Sequence, residues 1–256
     1  AVSIKFPPEM SPMDQQELME RYTATHRAYE GKSREEREIA CLRILYPALF
    51  RSIEPDDLFA GRLDFLPIGF GCVTSVGGVG HYCVFNKLTA FKDLLPSDEH
   101  ERVDALYDYW LEHDLKTKYC RQALKDDVVG MFIDCEYPLI VTARLSGMML
   151  NYHMLMDLGI SGIRERIHEQ QEKLGDNDFY RASLASLDLF SSCCDHLADK
   201  VRADMEGATP KRREELLRME SALLRIRNDR PETFVEALQL FWLYALLAGV
   251  INYGRM

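Results

Sequence analysis

The chain has 256 residues, 47% of them apolar, and carries 41 acidic against 31 basic side chains for a net charge of −10. This composition suits a globular chain able to bury a core rather than a disordered one, and its negative charge argues against nucleic acid or an anionic membrane surface as a partner. Seven cysteines, with no Cys-x-x-Cys pair and no signal-like leader, point to a reducing, cytoplasmic setting and give no support to a disulfide framework or a structural zinc site.

Residues 1–12, with Pro7, Pro8 and Pro12, read as an extended arm before a helix over Met13–Tyr29. Ser33 and Glu36 stand at capping-box spacing and open a helix from Arg34 to about Phe50, with Ile39, Leu42, Ile44, Leu45 and Leu49 inward. After the turn Glu54-Pro55-Asp56-Asp57, residues 60–86 mix six glycines with Val and Phe, which predicts one or two short, bulged strands beside a cavity. No phosphate-loop spacing occurs there, and Gly69-Phe70-Gly71-Cys72-Val73-Thr74 misses the last glycine of a dinucleotide fingerprint. Ser97-Asp98-Glu99 begins a helix bearing Val103, Leu106, Tyr107 and Trp110.

An apolar run from Val128 to Ile140 leads into a helix over Ala143–Ile163 that closes on Gly159-Ile160-Ser161-Gly162, before a charged helix from Arg164 to Lys173. Asp176-Asn177-Asp178 caps a long helix from Phe179 to about Met205, with Tyr180, Leu184, Leu187, Phe190 and Leu197 inward. Gly207–Pro210 breaks it, and Lys211–Arg227 carries Leu216, Leu217, Met219, Leu223, Leu224 and Ile226 on one broad face. The last helix follows Pro231, a residue suited to a first turn, and is apolar on every side from Leu240 to Ile251. That run is shorter than the roughly 20 residues a bilayer needs, so it reads as a buried core helix rather than a membrane span.

Few residues offer chemistry on their own. Asp134, Cys135 and Glu136 interrupt an apolar run, where burial would raise the carboxyl pKa values, or else they sit in water at a helix end. His81 and Cys83 share a strand face, which permits contact without requiring it, and a buried thiol is the simpler reading. Cys193-Cys194 read as small buried helix residues, the methionines from Met148 to Met156 as soft core filling, and His153 as a satisfied core residue. Arg255 suits a bidentate carboxylate or phosphate, or a structural acid.

Several stretches carry a family likeness when taken together. Arg230-Pro231-Glu232-Thr233-Phe234-Val235-Glu236-Ala237-Leu238-Gln239, running on to Gly254-Arg255-Met256, resembles the opening of a buried helix in the glycyl radical enzymes of the pyruvate formate-lyase-like group. In the same order, Glu54–Gly61, Val103–Trp110, Asn151-Tyr152 through Gly162-Ile163, and Phe179-Tyr180-Arg181-Ala182 resemble further motifs of that family. The resemblance implies that residues 1–256 form one mostly helical, N-terminal part of a ten-stranded α/β barrel, ending early at Met256. The implied activity is thiyl-radical chemistry on a small organic substrate, as a lyase, dehydratase or acyltransferase.

The resemblance also places the radical glycine and the thiyl cysteine downstream, so none of the seven cysteines is a catalytic residue and the piece by itself is expected to be inert. It implies no bound cofactor or metal here, a radical-SAM activating enzyme and a second copy of the chain as partners, and Ser146, Asn151, Asn252 and Arg255 at the wall of a substrate pocket. Ser146-Gly147 and Ile251-Asn252-Tyr253 depart from the pattern of the eliminating members, which leaves the substrate open. The reading that competes is a non-catalytic helical scaffold complete at this length.

Overall fold

A computed structural model describes residues 9–63, 91–113 and 151–251, together with Leu88, Gln122, Lys125 and Val128. The described residues are mainly helical: α1 (Pro12–Ala28), α2 (Arg34–Leu49), a 3-10 turn (Ser97–Glu99) running into α3 (His100–His113), α4 (Tyr152–Leu174), α5 (Asp178–Asp204), α6 (Pro210–Ile226) and α7 (Phe234–Ile251). They contain no strand, only an isolated antiparallel bridge between Phe50 and Leu63. The strands expected near 60–86 therefore fall mostly outside the described residues, as do Asp134–Glu136, His81 and Cys83.

The helix starts follow local capping chemistry. Ser33 and Glu36 form the expected capping box on α2, and Asn177 caps α5 through its side chain. Pro12, expected in an extended arm, instead opens α1 as its first residue, because Ser11 caps that end and accepts from the Asp14 N–H at 3.1 Å. A second correction concerns α7. Pro231 does not open it; Glu236 accepts from the Thr233 N–H at 3.0 Å while Thr233 Oγ1 accepts from the Glu236 N–H, so a capping box delays the start to Phe234.

The chain divides into two compact units. In the first, Leu18, Met19 and Tyr22 of α1 and Val103, Leu106 and Trp110 of α3 are buried. Trp110 is fully enclosed, its ring 6.0 Å from that of Tyr22, and its indole N–H donates to Thr23 Oγ1 at 2.9 Å. Arg102 ties the same two helices through Glu20 and Glu99.

The second unit is built on α2 and α4–α7. The buried stripe of α5 is Leu189, Phe190, Cys193, Cys194, Leu197, Ala198 and Val201, met by Leu216, Met219, Ala222, Leu223 and Ile226 of α6. Burial is narrower than the apolar pattern suggests. Leu217 and Leu224 are exposed, Ile39, Leu42 and Ile44 of α2 are only half-buried, and its buried positions are Cys41, Leu45, Tyr46 and Leu49. Helix α7 departs most from expectation: Leu240, Leu243 and Leu247 are buried, but Phe234 (77% exposed), Phe241 and Trp242 are not, because only one side of the helix meets other elements of its unit. No helix among the described residues is long and apolar enough to cross a membrane.

Gly159 replaces the expected break between two helices with a one-residue kink. Its φ of 62° and ψ of −174° interrupt α4, which resumes at once. A Cβ there would lie 2.4 Å from the Arg230 nitrogen, so the backbone of the α6–α7 connection touches α4 directly. The kink also frees the Ser161 N–H, which donates to the Asn228 carbonyl at 2.7 Å. Replacing Gly159 with Ala should lower unfolding stability by about 3 kcal/mol or more, since the dihedrals and the space are both unavailable to a side chain. Denaturant titration checks this, with Gly162→Ala as the milder control.

Candidate functional site

Of the residues expected at a substrate pocket, only Asn151 is described; Ser146, Asn252 and Arg255 lie outside the described residues. Asn151 is exposed and forms the N-cap of α4, where its Oδ1 accepts from the Met154 N–H at 3.0 Å. Tyr152 then lays its ring against Phe241 (centroids 4.7 Å apart) and edge-on to Tyr244 (6.0 Å), and Tyr244 in turn meets Phe190. The start of α4 thus packs against the middle of α7. Desolvation raises the pKa of both Tyr152 and Tyr244, so these hydroxyls stay protonated as neutral groups. His153, expected in the core, is exposed instead, because the helix begins only at Tyr152 and its first turn is open to water.

Two polar contacts fix α7 from the inside. Gln239, fully buried, donates from Nε2 to the Ala60 carbonyl and accepts the Ala60 N–H on Oε1, both at 2.9 Å. Two turns further on, the Tyr46 hydroxyl donates to the Leu247 carbonyl at 3.0 Å, and burial pushes its pKa far above the ordinary phenol value. The Glu54–Gly61 turn that Gln239 holds is gripped from its other end by Arg212, which donates to the Asp57 carbonyl at 2.8 Å and the Glu54 carbonyl at 2.9 Å. Gly61, with φ of 112°, lies against Leu243, Leu246 and Trp242 of α7. Sequence reasoning meets Gln239 as the last residue of the Arg230–Gln239 family motif, with no role for its side chain; a lone amide among leucines is the signal that a backbone partner is needed.

Cys41, Cys193 and Cys194 are buried and in no disulfide, and burial is what the sequence suggests for the adjacent pair. Burial pushes Cys193 up to about 12 and Cys194 well above the ordinary thiol value, which makes both poor nucleophiles. Among the described residues no group of His, Cys, Asp and Glu is arranged to hold a metal ion. A small pocket of about 110 Å³ in the first unit, between Leu88, Lys92, Val103, Asp104 and Tyr107, is smaller than a ligand site requires, and Lys92 closes onto Asp104 at 2.6 Å.

The comparisons with known proteins agree with this picture. The family model for pyruvate formate lyase-like proteins matches residues 5–256. The chain belongs to the pyruvate formate lyase-like family, the glycyl radical enzyme group whose motifs its sequence resembles. It is 25% identical over 169 aligned positions to the probable dehydratase YbiW of Escherichia coli, taking in 56% of this chain and 21% of that protein. Its fold matches a Roseburia inulinivorans structure of 1,2-propanediol dehydration at a TM-score of 0.71 and 19% identity, over 98% of this chain and 32% of that one. It also matches a glycyl radical enzyme from Archaeoglobus fulgidus (0.70, 19%, covering 97% and 33%) and the glycerol-bound, B12-independent glycerol dehydratase from Clostridium butyricum (0.66, 15%, covering 98% and 35%). The chain therefore spans about a fifth of the curated relative and about a third of each solved structure. Its mainly helical character is that of one part of a glycyl radical enzyme fold.

Two measurements follow from the local geometry. Asn151→Ala should cost about 1 kcal/mol of stability through the lost cap while Asn151→Asp keeps it, as read by paired thermal melts. His196, lying 6.1 Å from the Phe50 ring, has its pKa lowered first by burial and then by Lys200. The neutral ring is thus favoured in the folded state, so its contribution is fully present above about pH 6.5 and is lost as pH falls through the lower, folded value. His196→Phe should flatten the decline in melting temperature between pH 7 and 5 relative to the unmodified chain.

Proposed function

We propose that residues 1–256 are the N-terminal portion of a glycyl radical dehydratase acting on a small hydroxylated substrate. The observation that carries this reading is the family match across nearly the whole chain. The dehydratase subtype is supported by the relatives, which are named for 1,2-propanediol dehydration, glycerol dehydration and probable dehydratase activity. Lyase and acyltransferase chemistry belong to the same family resemblance, and the family's own description names a lyase.

The family's chemistry, hydrogen-atom abstraction by a cysteine thiyl radical made from a backbone glycyl radical, draws on residues that the resemblance puts beyond Met256. The contribution of this portion is to bind and orient. Asn151 caps α4 with its Oδ1 and keeps an amide NH₂ able to donate to a substrate hydroxyl. Arg255 is suited to an anionic or hydroxyl-rich substrate, and Ser146 and Asn252 to hydroxyl recognition. Ser146-Gly147 stands where the eliminating members resemble one another in a Gly-His pair, which leaves the particular hydroxylated substrate open. A radical-SAM activating enzyme, a homodimeric assembly and a cytoplasmic location complete the proposal.

The test is anaerobic activation of the full gene product with a radical-SAM activase, followed by electron paramagnetic resonance and product analysis with 1,2-propanediol and glycerol. The reading expects a glycyl radical signal, aldehyde from at least one substrate or a close analogue, and neither from residues 1–256 alone. A gene product with no radical signal under conditions that activate a relative would sink it, and a radical signal with acyl transfer but no dehydration would replace the dehydratase reading with an acyltransferase.

A further inference from the structure

We propose that Gln239 is a positioning residue whose side-chain amide stands in for a β-strand, locking the Glu54–Gly61 turn to α7 in one fixed register.

Several observations carry it. The amide reads both backbone groups of one residue, accepting the Ala60 N–H and donating to the Ala60 carbonyl at 2.9 Å each, as a neighbouring strand would. Ala60 lies in no helix or strand, and both it and Gln239 are fully buried, so its N–H and carbonyl have to be paired by something other than water. A leucine at 239 would match Leu240 and Leu243 and avoid desolvating an amide, but it has no donor or acceptor with which to choose one register of the turn over the next. The neighbouring contacts work to the same end: Gly61 holds a positive φ against Leu243 and Leu246, and Arg212 anchors Glu54 and Asp57 at the far side of the turn. The junction is held at both ends and through its middle.

Hydrogen exchange on the 256-residue chain reads this directly and without any assay of turnover, so its outcome is separable from that of the dehydratase reading. In the unmodified chain the Ala60 amide should exchange slowly despite lying outside regular structure. Gln239→Leu should lower protection over 57–63 by about 10- to 100-fold, more than any loss in the α5 and α6 cores, which report global opening. Gln239→Glu supplies the discriminating arm. An ionised carboxylate can accept from Ala60 but cannot donate to its carbonyl, whereas the protonated acid can do both. Protection of 57–63, normalised to the unmodified chain at each pH, should therefore be lost at pH 8 and return at pH 5. The charged groups on this turn are Glu54, Asp56, Asp57 and Arg62, those nearest it on α6 and α7 include Arg212, Glu215 and Glu236, and normalisation removes their share of the pH response. Fast exchange of Ala60 in the unmodified chain, a uniform loss across α5–α7 in the leucine variant, or a pH-independent glutamate variant would each overturn the proposal.

Discussion

Backbone polar groups withdrawn from water have to be paired, and in the second unit side chains rather than a sheet do the pairing. Gln239 serves Ala60, Tyr46 serves Leu247, Arg212 serves Glu54 and Asp57, Lys200 serves Phe50, and Ser191 serves Arg227. Each joins residues far apart in the sequence, and all but Tyr46, which meets a carbonyl inside α7, end on a backbone group outside the helices. An unpaired group of this kind costs about 1–3 kcal/mol, comparable with a sizeable core contact. The apolar stripes of α5 and α6 bring the helices together; these pairs decide where the connecting segments lie.

The same constraint orders the region around α7. Gly159 lets α4 touch the 229–230 backbone, Ser161 and Ser191 take up the carbonyls of Asn228 and Arg227, and the Thr233–Glu236 box then sets where α7 begins. From there Gln239 and Tyr46 hold the helix at two levels, and Tyr152 rests on its middle. The outcome is a helix whose polar contacts face inward and whose exposed aromatics, Phe234, Phe241 and Trp242, all lie in its N-terminal half. Asn151, at the entry to α4, is placed by the packing of Tyr152 and not by any contact of its own with α7.

What was legible in the sequence were the features decided within one turn of helix. Ser33–Glu36 and Asn177 signal their helix starts because cap and partner lie three residues apart. Competing local signals misled: Pro231 and Pro12 each suit more than one role, and only Thr233 and Ser11 decide which is taken. Apolar periodicity marked the helices but overstated their buried faces, since Leu217, Leu224 and Phe234 satisfy the pattern and stay exposed. The candidate site was least legible from residue chemistry alone. It depends on segments far apart in sequence, and Ser146, Asn252 and Arg255 were reached by family resemblance, while the structural value of Gln239 needed Ala60, 179 positions away, to be seen.

The central proposal is that residues of this chain, Asn151 among them, bind the substrate of a glycyl radical enzyme. A crystal structure of the full gene product with glycerol or 1,2-propanediol bound tests it most directly. The account predicts a ligand hydroxyl within hydrogen-bond distance of Asn151, Asn252 or Arg255, with Gln239 still bridging Ala60. A ligand enclosed by other segments, with none of these residues lining its cavity, would contradict it.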